Sequence, residues 1–282
     1  MPISQLSLLT VFRKCQGISD DLMSRLSVLL SSSLPSEAVA VQQKSYVTYT
    51  LSSLFDSSAS PPMITLLESR NLLAAAGTTG FRTWDACLHL GSYLSSPKCS
   101  VPIANKTILE LGAGTGYLSI LCAKYLGASH VTATDGADTV VSEMGTNFYL
   151  NELQDESRIT AKELQWGYPL LGGEQIEWNS GRKIDVVLGA DVTYDETAHP
   201  ALVATFEELE ELYPGVMIVI AATVRNEKTF EKFLKSCNGN GFVVQDIQFP
   251  VQKPEVQAGP FYTEGILIQL FCIMKKTTNV VI

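Results

Sequence analysis

The sequence predicts an α/β fold: a doubly wound sheet of seven strands with a C-terminal antiparallel hairpin, preceded by an N-terminal accessory segment. Three observations predict it. From residue 107 onward, short β-like apolar runs alternate with stretches in which apolar residues recur at helical spacing. The last two strand-like runs follow each other with no helical stretch between them. Residues 1–75 lack this rhythm and are interrupted by serine- and proline-rich breaks, so the main domain is placed at 76–282.

Upstream, residues 20–30 read as a helix, 31–36 as a serine-rich break, 46–51 as a short β-like run and 57–62 as a loop. Strands are expected at 107–111, 130–135, 159–166, 185–191 and 216–224. Helices are expected at 117–126, where Gly127 supplies a stop, and at 139–150, 200–212 and 226–237. Strand, helix and strand in succession is the rhythm of a parallel sheet covered on both faces. The runs 242–249 and 266–274 then close the sheet as an antiparallel pair. No internal repeat is present.

The chain has 282 residues, 46% of them hydrophobic and 17% charged, enough to bury a large core and unlike a disordered chain. Twenty Lys and Arg against 29 Asp and Glu give a net charge of −9, which argues against direct binding to nucleic acid or to an anionic membrane. The apolar stretch 216–224 spans nine residues, less than half of the ~20 a membrane helix needs. No basic residue precedes Arg13, which speaks against a secretory signal and for a cytoplasmic protein. The six cysteines form no C-x-x-C pair, and only three histidines accompany them, so no metal site is expected. Cys122 and Cys272 fall within helix and strand patterns, where a thiol packs as a small hydrophobe.

The sharpest local signal is the run from Ile108 through Glu110, Gly112, Ala113 and Gly114 to Gly116, a strand entering a glycine-rich turn that opens a helix. Glycine lets the backbone pass close beneath a ligand. A dinucleotide fingerprint G-x-G-x-x-G would require glycine at 117, which is Tyr117 here. A purely structural turn remains open on this motif alone. Asp135, however, ends the next strand nineteen residues after Gly116, where a carboxylate can accept both hydroxyls of a ribose. The loop carries Glu110 and no Lys-Ser/Thr pair, an acidic lining that suits an amino group and a sulfonium better than phosphates. The ligand implied is S-adenosylmethionine, leaving as S-adenosylhomocysteine.

The pattern E-L-G-x-G-T-G with an acidic residue closing the second strand resembles the class I methyltransferases, whose Rossmann-like sheet has seven strands and a terminal antiparallel hairpin. Four further segments sharpen the likeness: residues 77–86 (GTTGFRTWDA), Glu163 to Trp166, Gly189 to Tyr194, and Thr223 to Asn226. Together they resemble the seven-β-strand protein-lysine methyltransferases with a D-x-x-Y signature. Within that group they are most similar to the eukaryotic enzymes acting on a lysine of translation elongation factor 2. The resemblance covers residues 65–275 and implies a protein substrate, elongation factor 2; the sequence leaves the oligomeric state open, with monomer as the default.

Residue by residue, it implies that Gly112, Ala113 and Gly114 lie under the methionine part of the cofactor, Glu110 near its amino group and Asp135 on the ribose. Trp166 flanks the adenine, or else is a core aromatic; an indole is flat and apolar with one N–H donor. Trp84 closes over the cofactor and Ala190 offers its backbone beside it. Trp178 matches no motif.

Asp191 and Tyr194 follow the fourth strand of the parallel set, whose carboxyl end faces the ligand crevice in open α/β sheets. The tetrapeptide lacks the two prolines usual in amino methyltransferases acting on nucleic-acid bases, which disfavours a base substrate. Asp191 is expected to position an incoming lysine ammonium first and to act as a base second, and Tyr194 to wall its channel; a helix cap and a core aromatic are the structural alternatives. Arg225 contacts substrate or fixes the Asp191 loop, with a salt bridge and an Asn226 cap as the alternative. Tyr262 and Glu264 are expected to touch substrate from the C-terminal hairpin, and His199 to lie at the surface.

Overall fold

The computed structural model describes residues 19–31, 43–55, 60–69, 78–170, 179–257, 259–263 and 265–276. Trp178, Glu264 and Cys15 lie outside the described residues. Two compact units divide the chain, Met1–Gln42 and Gln43–Ile282. In the first, α1 (Asp20–Ser31) begins with two aspartates in its first turn, where carboxylates complement the helix dipole. Ser19 Oγ accepts the Leu22 N–H at 3.2 Å.

The second unit is built on β3 (Thr107–Leu111), β4 (His130–Asp135), β5 (Ile159–Glu163), β6 (Val186–Ala190), β7 (Met217–Thr223), β8 (Phe242–Ile247) and β9 (Ile268–Lys275). They form one seven-stranded sheet in the order β5-β4-β3-β6-β7-β9-β8, parallel except for β8 and β9. β9 is inserted between β7 and β8, pairing antiparallel with both. Burial explains the order. β9 reads Ile-Gln-Leu-Phe-Cys-Ile and is largely buried, whereas β8 carries Gln245 and Asp246 and tolerates the edge.

The helices are α2 (Asp85–Leu94), α3 (Tyr117–Lys124), α4 (Asp138–Leu150), α5 (His199–Leu212) and α6 (Glu227–Gly239). Alternate residues of each strand feed opposite cores. Ile108, Val186, Leu188, Val219 and Ala221 join one core, while Leu109, Leu111, Val187, Ile218 and Ile220 join the other. Burial on both faces is why these strands are almost continuously apolar. No helix among the described residues is long and apolar enough to cross a membrane.

Two elements were not legible from apolar spacing. Helix α2 buries eight of its ten residues, so it shows no polar stripe to betray a helical period. The strand β2 (Met63–Glu68) pairs antiparallel with β1 (Ser45–Thr50) as a separate two-stranded sheet within the second unit. Helix α4 supplies the missing partner along β2. Asn147 Oδ1 accepts the Leu67 N–H at 2.8 Å, and Asn151 accepts from the Thr65 N–H at 3.1 Å while donating to its carbonyl at 2.7 Å. Side-chain amides thus satisfy backbone groups that a strand edge would leave open.

His89 of α2 is fully buried, with Nδ1 3.0 Å from the Tyr262 hydroxyl and Nε2 2.9 Å from the Phe249 carbonyl oxygen. This pins the connection between β8 and β9 onto α2. Burial pushes the imidazole down from its usual range to about 4. The unfolded chain binds this proton below about pH 6.5 and the folded protein does not, so the neutral ring's stabilisation is complete above that pH and is lost as pH falls toward 4. The stability difference between wild type and His89→Phe should therefore narrow by about 2 kcal/mol from pH 7 to pH 4.5. Urea unfolding at both pH values measures it; an unchanged difference would mean that the buried ring takes up its proton in the folded protein.

Candidate active site

The glycine-rich turn after β3 carries three left-handed glycines at alternate positions, with φ of +64° at Gly112, +54° at Gly114 and +81° at Gly116. The Ala113 N–H donates to the Thr134 carbonyl at 2.8 Å, so the turn is tied to the end of β4. A Cβ on Gly112 would stand 2.8 Å from Val192 Cγ1 and 3.4 Å from Trp166 Cζ2; only a bare backbone fits. Asp135 fastens the same corner, its carboxylate accepting the Gly114 N–H at 3.1 Å and the Ala137 N–H at 3.2 Å. Burial raises its pKa, against the pull of these backbone donors.

Glu110, on β3 just before the turn, is almost fully buried and accepts a hydrogen bond from Ser119. Burial pushes its carboxyl up to about 8, with the neighbouring Asp135 charge adding to the rise. A cation placed in this corner would favour the ionised form and reverse the shift.

Asp191 follows β6 and is itself left-handed, with φ of +59°. Its N–H donates to the Ala221 carbonyl at 2.8 Å, and its Oδ1 accepts the Thr223 N–H at 3.2 Å. An Asp side chain is among the few that tolerate this backbone region. Asp191 caps no helix; the cap in this turn is Asp195, which accepts the Thr197 N–H. Tyr194 is 55% exposed, which removes the core-aromatic alternative, and its hydroxyl lies 3.5 Å from Thr79 Oγ1. Arg225 pairs with Asp191 at 2.9 Å, and Asn226 caps α6 by accepting the Lys228 and Thr229 N–H groups. Trp84 donates its indole N–H to the Thr79 carbonyl at 3.1 Å and carries the guanidinium carbons of Arg82 and Arg225 4.5 and 5.4 Å from its ring centre.

These residues enclose two adjoining cavities at the carboxyl ends of β3 and β6, where the strand order reverses. The first, about 350 Å³, is lined by Glu110, Gly112–Gly114, Asp135, Trp166 and Ala190 among others. The second, about 380 Å³, is lined by Thr193, Thr223, Arg225, Asn226, Thr229 and Phe230. Thr79, Trp84, Asp191 and Tyr194 border both.

A family model described as lysine methyltransferase matches residues 72–238. The chain belongs to the lysine methyltransferase family. Protein-lysine N-methyltransferase EFM3 of Chaetomium thermophilum is 54% identical over 260 residues, covering 92% of this chain and 76% of that protein. EFM3 of Saccharomyces cerevisiae is 34% identical over 63% of this chain and 54% of its own length. Protein-lysine N-methyltransferase EEF2KMT of Homo sapiens is 32% identical over 60% of this chain and 53% of its own. The chain thus spans about half the length of the yeast and human relatives.

Three expectations need correction or fall outside the structure. Tyr262 is buried, its hydroxyl against His89, and it borders neither cavity; it braces α2 instead of facing substrate. Glu264, expected beside it, lies outside the described residues. His199 is buried, not superficial, with Nε2 2.9 Å from the Thr193 carbonyl oxygen, and so supports the turn that carries Tyr194. Apolar periodicity could not single out Thr229 and Phe230, which reach the second cavity only because the Asn226 cap aims the first turn of α6 toward Asp191.

Proposed function

We propose that this lysine methyltransferase acts on translation elongation factor 2, working as a cytosolic monomer, with the first cavity for S-adenosylmethionine and the second for the substrate lysine. The observation that carries the reading is the shared border: two cavities meet at Asp191, Tyr194, Trp84 and Thr79, so a molecule held in each comes together with the other beside one carboxylate. The chemistry of the first cavity fits the donor. Glu110 is a buried carboxylate in want of a cation and suits the amino group, Asp135 the ribose hydroxyls, and Trp166 and Ala190 the adenine. Gly112, Ala113 and Gly114 let the backbone lie beneath it.

When bound, S-adenosylmethionine supplies a methyl group activated on a cationic sulfur. The chain's own task is to deliver a neutral amine to it. A lysine with a reference pKa near ~10.4 is about one part in a thousand neutral at pH 7.4, a cost of ~4 kcal/mol. Asp191 orients the nitrogen through a hydrogen bond, and Tyr194 with Trp84 walls the lysine stem and shields it from bulk water. Most of the acceleration then comes from alignment at near-contact distance.

The assignment to elongation factor 2 is supported by the block at residues 77–86, by Thr223 to Asn226, and by likeness to EFM3 and EEF2KMT. Incubation with tritiated cofactor and a cytosolic extract tests it. One labelled band of the size of elongation factor 2, absent when that factor is depleted, is the expected result. Label in another protein would replace the substrate, and cofactor binding without any transfer would make the fold a binding module.

A further inference from the structure

Arg225 faces Asp191 from the substrate side only. Its guanidinium nitrogens lie 2.9 Å from Oδ2 and 3.4 Å from Oδ1. It borders the second cavity and not the first, whereas Asp191 borders both. Half of the Arg225 side chain is exposed, while that of Asp191 is 6% exposed. A lysine passing along the second cavity therefore meets a fixed cation before it reaches the carboxylate.

A solitary carboxylate would stabilise the ammonium and hold back the proton that must leave. A guanidinium beside it does the opposite, because it remains charged at every working pH and repels a second cation. We propose, on the reading of the two cavities given above, that Arg225 is a charge-selecting positioning residue: by pairing with Asp191 it admits the substrate nitrogen as a neutral amine and disfavours the ammonium. The proton passes to water as the lysine leaves bulk solvent. The paired carboxylate keeps lone pairs that accept an amine N–H. Thr223 Oγ1, buried on the same wall and without a hydrogen-bond partner among the described residues, offers a second polar contact.

The other groups near this carboxylate are the Thr223 N–H from β7, Tyr194 from its own turn, and Trp84 with Arg82 on its ring from the segment before α2. Cys87 of α2 feels the charges of Glu110, Glu68 and Asp191, which add to burial in pushing its thiol up. Among these, Arg225 is the cation in direct contact with Asp191.

Single-turnover rates at saturating enzyme and cofactor, measured from pH 6.5 to 10 on the protein that takes up label from the extract, test the role. In Arg225→Gln the acid limb should move about one pH unit toward alkaline, so that the deficit is about tenfold at pH 7 and shrinks above pH 9. Arg225→Lys keeps a cation and should hold the limb within a few tenths of a unit. A loss of equal size at every pH in folded Arg225→Gln, up to complete loss with S-adenosylhomocysteine binding retained, overturns the proposal, as does a limb that moves equally in Arg225→Lys. If wild type transfers label to no protein, the functional reading fails first, and that failure is seen before any variant is made.

Discussion

Asp191→Ala is expected to lower methyl transfer by about a thousand-fold while changing affinity for S-adenosylhomocysteine by less than about threefold. The asymmetry follows from where the carboxylate sits. It borders both cavities, but the partners of its side chain, the Thr223 N–H and Arg225, belong to the wall of the second. The first cavity keeps Glu110, Asp135, Trp166 and the glycine turn in the variant. Truncation leaves the Thr223 N–H without its acceptor, at a cost of ~1–3 kcal/mol in stability, so a melting curve must accompany the kinetics. Asn at this position separates the effects. It can accept the same N–H and tolerates the left-handed backbone, yet lacks the charge, so Asp191→Asn should retain stability and still lose most of the turnover. Isothermal titration and a discontinuous transfer assay measure both; turnover near wild type in either variant would remove Asp191 from the reaction.

Gly112→Arg should abolish cofactor binding and transfer together. Backbone and space both forbid it. At φ of +64° a side chain is strained whatever surrounds it, and its first carbon would meet Val192 Cγ1 at 2.8 Å. The remaining atoms would enter the first cavity, against Trp166 and over the position proposed for the donor. The turn cannot retreat readily, because the Ala113 N–H bonds Thr134 and the Gly114 N–H bonds Asp135. Affinity for S-adenosylhomocysteine is expected to fall by more than about a hundredfold. Gly112→Ala, adding only the clashing carbon, should show an intermediate loss by titration, and wild-type affinity in the Arg variant would place the donor elsewhere.

Much of this architecture is written locally. The strands at 107–111 and 130–135 have the predicted limits, since each is a short β-like run that gives way at its end to glycine, Gly112 and Gly136. The strands predicted at 159–166 and 185–191 are shorter, because their last residues turn into the crevice: Trp166 and Asp191 leave the ladder to line it. The expected site residues from Glu110 to Arg225 come to the two cavities because, in a parallel sheet, residues just beyond successive strands arrive at one edge. Tyr262 departs from the pattern because it lies on a long connection, whose course is set by what it packs against. That packing is an interaction with His89, more than 170 residues earlier.

By itself the sequence determined the alternation of strand and helix, the glycine turn and the acid closing β4. Those features rest on periodicity, backbone permissiveness and charge, all of them properties of a short window of residues. Only the tertiary structure decided that β9 enters the sheet before β8, that asparagines of α4 complete β2, and that Arg225 holds Asp191 from one side. Each of these depends on two segments distant in the chain meeting at hydrogen-bond range, and a hydrogen bond or ion pair has no signature in either segment until packing brings its partner there.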